Sequence, residues 1–229
     1  MSALVERLAE VRGRAADAAR KAGRDPARVK LLAVGKGFPV ERIREAADAG
    51  QLAFGENRVQ EAEPKIAALP ALEWHLIGQL QRNKARLACE LFWAIQSVDR
   101  AELAHALARH AAALGRRVRV LVQVNVDEES QKGGVALADT PALVREIVSL
   151  PALELAGLMA IPRPQPDPEA MRPAFARLRE LRDRLRLQAP DGPRLEELSM
   201  GMSDDFEIAI QEGATMVRVG SAIFGERPR

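Results

Sequence analysis

The sequence predicts a single-domain α/β protein, a (β/α)8 barrel spanning residues 1–229, and three observations carry this. Eight short apolar or β-branched segments alternate with helix-like segments along the 229 residues. Each strand–helix unit takes about 29 residues, close to the roughly 31 used by a barrel of about 250 residues. No pair of strands is joined by a hairpin signal, which favours a parallel sheet. A doubly wound open sheet is the alternative, but no Gly-x-Gly-x-x-Gly follows the first strand.

Residues 2–22 carry Leu4, Val5, Leu8 and Val11 at helical spacing and stop at Gly23 and the Asp25-Pro26 turn. The run 30–34 is a short buried strand that breaks at Gly35-Lys36-Gly37 before Pro39. A helix over 40–49 closes at Gly50, a short strand follows at 52–54, and Gly55-Glu56-Asn57 leads into a helix ending near Leu69. Strands at 74–77 and 92–96 flank a helix near 83–90. Asp99, with Glu102 three residues on, reads as a capping box for a helix over 100–114 that Gly115 closes. Val118 to Val126 is the most β-branched segment and the fifth strand. Thr140-Pro141 opens the next helix as cap and N1 proline, Leu153 to Ile161 is the sixth strand, and Asp167-Pro168 starts a long helix through about Gln188. Leu195 to Met200 is a weak seventh strand, Ser203 caps a helix over 204–212, and Met216 to Val219 is the eighth strand.

Composition excludes several classes of function. Net charge is +2, from 34 basic and 32 acidic residues, so there is no broad basic field. Aromatic residues are 3% with no tyrosine, which argues against nucleic-acid recognition by stacking. The arginine-rich run from Arg177 to Arg186 alternates with leucines and reads as a solvated helix face. The single Cys89 rules out an intramolecular disulfide and suits a reducing compartment. No secretory signal and no bilayer-spanning apolar run is visible, so a cytoplasmic protein without membrane contact is expected. His105 and His110 are five apart on one helix, a poor spacing for a metal, and no metal site is expected. His75, inside a strand beside Trp74, reads equally as a core or a ligand-facing histidine.

In a barrel the residues just after each strand face one pocket, here Lys36, Asn57, Gly78, Ser97, Asn125, Met159, Ser199 and Arg218. A lysine between two glycines at the mouth of a buried strand can be partly desolvated, as a Schiff-base lysine requires. The loops after strands seven and eight, Ser199-Met200-Gly201-Met202-Ser203 and Gly220-Ser221, combine glycine and serine, and a helix N-terminus follows the first. Backbone N–H groups and hydroxyls can there approach an anion closely. A reactive lysine facing a phosphate site suits pyridoxal 5'-phosphate (PLP).

The chain also resembles the pyridoxal phosphate homeostasis proteins, which look like the N-terminal barrel of alanine racemase standing alone. The matching stretches run nearly end to end: Leu32 to Lys36, Phe54 to Glu61, Trp74 to Lys84, Ser97 to Asp99, Val122 to Asn125, Gly157 to Met159, Ser199 to Asp205 and Arg218 to Gly225. Each alone is weak, and the ordered set is specific. The resemblance implies that Lys36 forms a covalent aldimine with PLP and that Ser199, Gly220 and Ser221 help hold the phosphate, and Met200, in the same loop, is expected among the cofactor-binding residues. It further implies that Arg218 points at the pyridine nitrogen and that Asn57 lies near the ring. An arginine there disfavours protonation of the nitrogen and weakens the ring as an electron sink. The chain departs from the family at Gly35 and Gly37, where serine and threonine are more usual, and at Arg58, where tyrosine is.

Two functions follow. One is a carrier that binds PLP reversibly and supplies apo-enzymes in vitamin B6 homeostasis, with no catalytic residue. The other is a PLP-dependent amino-acid racemase of low activity. Two-base racemisation needs an acid opposite the lysine, which in alanine racemase is a tyrosine from a second domain and partner subunit. This chain has neither, so the carrier is expected, as a monomer. A metal-dependent phosphosugar barrel is a third, weaker reading.

Overall fold

The structure, a computed structural model, describes residues 2–129, 133–188 and 195–226. Helix α1 (Ala3–Lys21) comes first, its N-terminus capped by Ser2, whose hydroxyl accepts from the Val5 N–H at 3.4 Å. Leu4, Leu8, Val11, Ala15 and Ala18 bury its inner stripe at the spacing the sequence shows. Then alternate β1 (Lys30–Val34), α2 (Val40–Asp48), β2 (Ala53–Glu56), α3 (Val59–Ala68), β3 (Glu73–Leu76), α4 (Ala85–Leu91), β4 (Ala94–Val98) and α5 (Ala101–Ala113). The second half holds β5 (Val118–Asn125), β6 (Val135–Ala136), α6 (Thr140–Val148), β7 (Leu153–Met159), α7 (Arg172–Gln188), β8 (Glu197–Ser199), α8 (Phe206–Gln211), β9 (Met216–Val219) and α9 (Ser221–Phe224).

The strands run β4-β3-β2-β1-β9-β8-β7-β5, and β5 pairs back onto β4, so eight parallel strands close a barrel. The two-residue β6 only extends the end of β5, through Val124 opposite Val135. Alternation along each strand divides the core in two. On β1, Leu31 and Ala33 pack outward under the helices, while Leu32 and Val34 join Ala53, Ile77 and Met216 inside the barrel. Leu121, Ala156 and Met159 form a second interior cluster, so Met159 is packing inside the barrel.

Element boundaries differ from the sequence expectation where side-chain chemistry and backbone approach compete. Helix α5 begins at Ala101 with Arg100 as its cap residue and no side-chain cap bond, because Asp99 pairs with Arg100. Helix α6 is capped one residue early, at Asp139, and the Thr140 hydroxyl donates back to the Ala136 carbonyl. Helix α8 starts at Phe206, and the Asp205 carboxylate accepts the Met202 N–H at 2.6 Å, holding the preceding loop. Beyond β9, where the sequence reading assigns no element, the chain forms the short α9.

Strand β8 is short, and glycine lets it pair. A Cβ on Gly157 of β7 would stand 1.9 Å from the Glu197 carbonyl oxygen of β8. Gly157→Ala is therefore expected to cost about 3 kcal/mol by forcing the strands apart. A urea titration followed by circular dichroism checks this; an unchanged midpoint would remove this close approach as a determinant of the barrel.

Candidate functional site

A cavity of about 660 Å³ opens at the carboxyl ends of the strands. Lys36, Asn57, Arg218, Gly220 and Ser221 all line it. Ser199 and Met200 do not; both are fully buried behind the cavity wall. Ser203, read from sequence as a helix cap at the end of the glycine-serine loop, is on the wall instead. Its hydroxyl accepts the N–H groups of Gly220 at 3.3 Å and Ala222 at 3.4 Å, tying the β8–α8 loop to the start of α9. The signal for Ser203 lay in the same glycine-serine loop that drew attention to Ser199. The apolar side of the cavity is made by Val34, Phe38, Ile77 and Ile161, which sequence reasoning did not assign.

Lys36 is half-buried and sits on a tight turn in which the Phe38 N–H donates to the Gly35 carbonyl at 3.0 Å. Gly37 has φ of +77°, the left-handed conformation that favours glycine. Phe38 stacks on Phe224 of α9 with ring centroids 5.0 Å apart, so the lysine turn is clamped to the loop beyond β9. Gly35 is needed for a different reason. A Cβ there would lie 2.5 Å from Ile43 Cδ1 and 2.9 Å from Glu56 Oε1. In this chain the space of a larger side chain is already taken by Ile43 and a buried carboxylate.

That carboxylate belongs to the framework under the lysine. Lys65 Nζ donates to Glu56 Oε1 at 2.7 Å and to the Gly35 carbonyl at 2.9 Å. The pair bolts α3 to the strand end that precedes Lys36. Glu56 is fully buried, and its Oε2 has no hydrogen-bond partner among the described residues. Burial pushes the Glu56 carboxyl up, and the Lys65 ammonium only partly opposes this. Asn57 is set by contact of main chains, since a Cβ on Gly78 would stand 2.2 Å from the Asn57 carbonyl oxygen.

Arg218 is 3% exposed and donates to the Ser199 hydroxyl at 2.7 Å and the Ala160 carbonyl at 2.8 Å. Burial lowers its pKa to about 10, against the opposing field of Asp205, so the guanidinium is charged at neutral pH. His75 is fully buried inside the barrel and away from the cavity lining. On the helices, His105 pairs with Glu146 at 2.8 Å, and Cys89 is fully buried with its thiol pushed up to about 11 by desolvation. Among the described residues, no helix is long and apolar enough to cross a membrane.

The profile of the alanine racemase N-terminal domain family matches residues 4–228. A pyridoxal phosphate homeostasis protein of Pseudomonas aeruginosa is 49% identical over 230 residues, covering 99% of this chain and 97% of that protein. Its Escherichia coli K12 counterpart is 42% identical over 239 residues, covering 99% and 98%. The chain belongs to the pyridoxal phosphate homeostasis protein family. Among solved structures, PipY of Synechococcus elongatus with PLP bound superposes with a TM-score of 0.85 at 42% identity, over 97% of this chain and all of that one. Alanine racemase of Corynebacterium glutamicum shares the fold, with a TM-score of 0.73 at 18% identity; the match covers 98% of this chain and 61% of that one.

Removing the cation beneath the lysine turn tests the framework of this family member. Lys65→Met leaves Glu56 buried and unpaired, an expected loss of about 3–5 kcal/mol at neutral pH. The Glu56 carboxyl, already raised, then rises further above its unfolded value. The folded state binds more protons in that window, so the variant loses stability as pH climbs from the unfolded carboxyl pKa through the raised folded one. Urea unfolding at pH 5 and pH 8 checks this: the deficit against the parent protein should be larger at pH 8, and the double variant Glu56→Gln with Lys65→Met should recover much of it.

Proposed function

We propose that this protein binds PLP reversibly through Lys36 and serves vitamin B6 homeostasis by holding the cofactor and releasing it to apo-enzymes. One observation carries the reading: a primary amine, a buried guanidinium and a glycine-serine cluster share one cavity at the barrel rim. The names of its relatives and the PLP-bound PipY structure support it.

The donor set fits the cofactor. PLP, when bound, supplies an aldehyde that bonds a primary amine reversibly and a ring that withdraws electrons. Lys36 presents the amine on a turn fixed from below by Lys65 and from the side by Phe38. Arg218 brings a fixed positive charge to the ring-nitrogen side and disfavours a proton there. Ser221 and Ser203 offer hydroxyls, and Ser221 its main-chain N–H, to the phosphate beside the side-chain-free Gly220, while Asn57 and the apolar wall flank the ring. Ser199 and Met200 then act from behind, by shaping the wall.

A carrier reading goes with this set better than a catalyst. The sequence holds no tyrosine to stand opposite the lysine as a second acid, and the acids at the cavity edge, Asp204 and Glu226, are exposed to solvent. The resting place of the chain is the cytoplasm, with a single barrel as the working unit. Purified protein is expected to be yellow with PLP, and borohydride should fix the cofactor on the Lys36 peptide. Lys36→Ala should lose fixation entirely. A variant that stays equally yellow and still fixes PLP would overturn the assignment, and steady interconversion of L- and D-alanine would overturn the carrier role.

A further inference from the structure

We infer that Ser199, Gln96 and His75 are positioning residues that link Arg218, on the cofactor side of the barrel, to the carboxylate of Glu73 at its opposite end. The inference rests on the proposed PLP site, since it assigns a purpose to residues that never touch the cavity.

The links are continuous. Arg218 Nη1 donates to Ser199 Oγ at 2.7 Å, and Ser199 Oγ donates to Gln96 Oε1 at 2.6 Å. Gln96 Nε2 lies 2.9 Å from His75 Nδ1 and 3.0 Å from Met216 Sδ. His75 Nε2 lies 2.7 Å from Glu73 Oε1, which also accepts from Lys30 Nζ at 2.5 Å. Gln96, His75 and Ser199 are within 1% of complete burial, so no bulk water competes for these groups.

Hydrogen-bond inventory gives the chain a direction. An ionised Glu73 can only accept, so His75 carries its hydrogen on Nε2 and offers Nδ1 as an acceptor. Gln96 must then turn its NH2 toward His75 and its carbonyl toward Ser199. The serine proton goes to Gln96, which leaves the oxygen lone pairs facing Arg218. Each dipole points the same way, from guanidinium to carboxylate, and such chains strengthen one another in a medium of low dielectric.

The groups around the imidazole agree with this order. Burial raises the Glu73 carboxyl, but hydrogen bonds from His75 and Lys30 overcome that and hold it at about 2. Burial keeps the His75 pKa low against the pull of Glu73, and Lys30 and Glu197 oppose each other more weakly. Trp93 covers the ring at 5.2 Å, with Arg119 and Lys30 stacked on that indole. A proton on Nδ1 would force Gln96 to flip, and Ser199 would then receive two donors and have no acceptor for its own hydrogen. The neutral imidazole therefore holds the Arg218 contact in place. Arg218 needs this help because its near partners are a hydroxyl and a carbonyl, and Asp205 acts on it only through its field.

The test compares the parent protein with Ser199→Ala, Gln96→Leu, His75→Leu and His75→Asn. Readouts are PLP affinity, the absorption band of bound PLP against pH, and thermal unfolding. Ser199→Ala and Gln96→Leu should weaken PLP binding about tenfold, the scale of one hydrogen bond to a charged group, and shift the pH midpoint of the band. His75→Leu should shift it in the same direction. His75→Asn, which keeps an acceptor for Gln96, should stay within about threefold of the parent. Variants that unfold normally, bind PLP like the parent and keep its band at every pH would overturn the inference. Nitrogen NMR on the parent protein, which has three histidines, needs no folded variant. His75 should show a bare Nδ1 and a protonated Nε2, and its Nδ1 signal should move when PLP is added; the opposite tautomer, or a signal blind to PLP, would sink the idea. A parent protein that fails to take up PLP at all would instead defeat the proposed function, and the two failures are distinct.

Discussion

A buried guanidinium with neutral first neighbours is the constraint on which the interior depends. Moving a charge out of water is costly unless dipoles replace the lost hydration. Around Arg218 those dipoles are the Ser199 hydroxyl and the Ala160 carbonyl, and the polar residues that continue from Ser199 run through the barrel to Glu73 and Lys30. A barrel filled only with leucine and valine could not hold this residue charged. The interior is accordingly mixed, with Leu32, Ile77 and Met216 packing beside the polar line.

The lysine side of the cavity is solved differently. Lys36 stands on a turn whose flexibility is removed by its surroundings: Gly37 in a left-handed conformation, Phe38 on Phe224, and the Gly35 carbonyl under Lys65. The glycine at 35 and the isoleucine at 43 are complementary, since one leaves the space that the other fills. The departure from the serine usual in the family is thus accommodated by packing. Glu56 and Lys65 serve as a buried ion pair beneath the turn, where loss of one partner costs more than loss of both.

These two supports meet at the cavity from neighbouring strand ends, since β1 pairs with β9, and their chemistry suits the proposed carrier. A lysine that is positioned but lacks an opposing tyrosine can bond an aldehyde and give it up, without the second proton donor that racemisation requires. In the proposed site, a charged arginine beside the ring nitrogen would work in the same direction, because an unprotonated ring stabilises carbanions poorly.

Much of this was legible in the residue order. Periodicity located all eight barrel strands, and β1 was placed to the residue, because a run such as Leu31 to Val34 has few other ways to bury itself. Lys36, Asn57, Arg218, Gly220 and Ser221 could be gathered because a barrel brings every strand end to one rim. Caps were less legible: Asp99 and Thr140 found other partners that depend on tertiary neighbours. What only the tertiary structure decided is the inward or outward sense of polar residues and who meets whom across the barrel. Ser199 lies behind the wall while Ser203 lies on it, and His75 and Gln96, 21 residues apart in the chain, share a hydrogen bond. Local sequence sets the alternation of a strand, but the stagger between strands selects the partners. That stagger is a property of the closed sheet, and no single segment contains it.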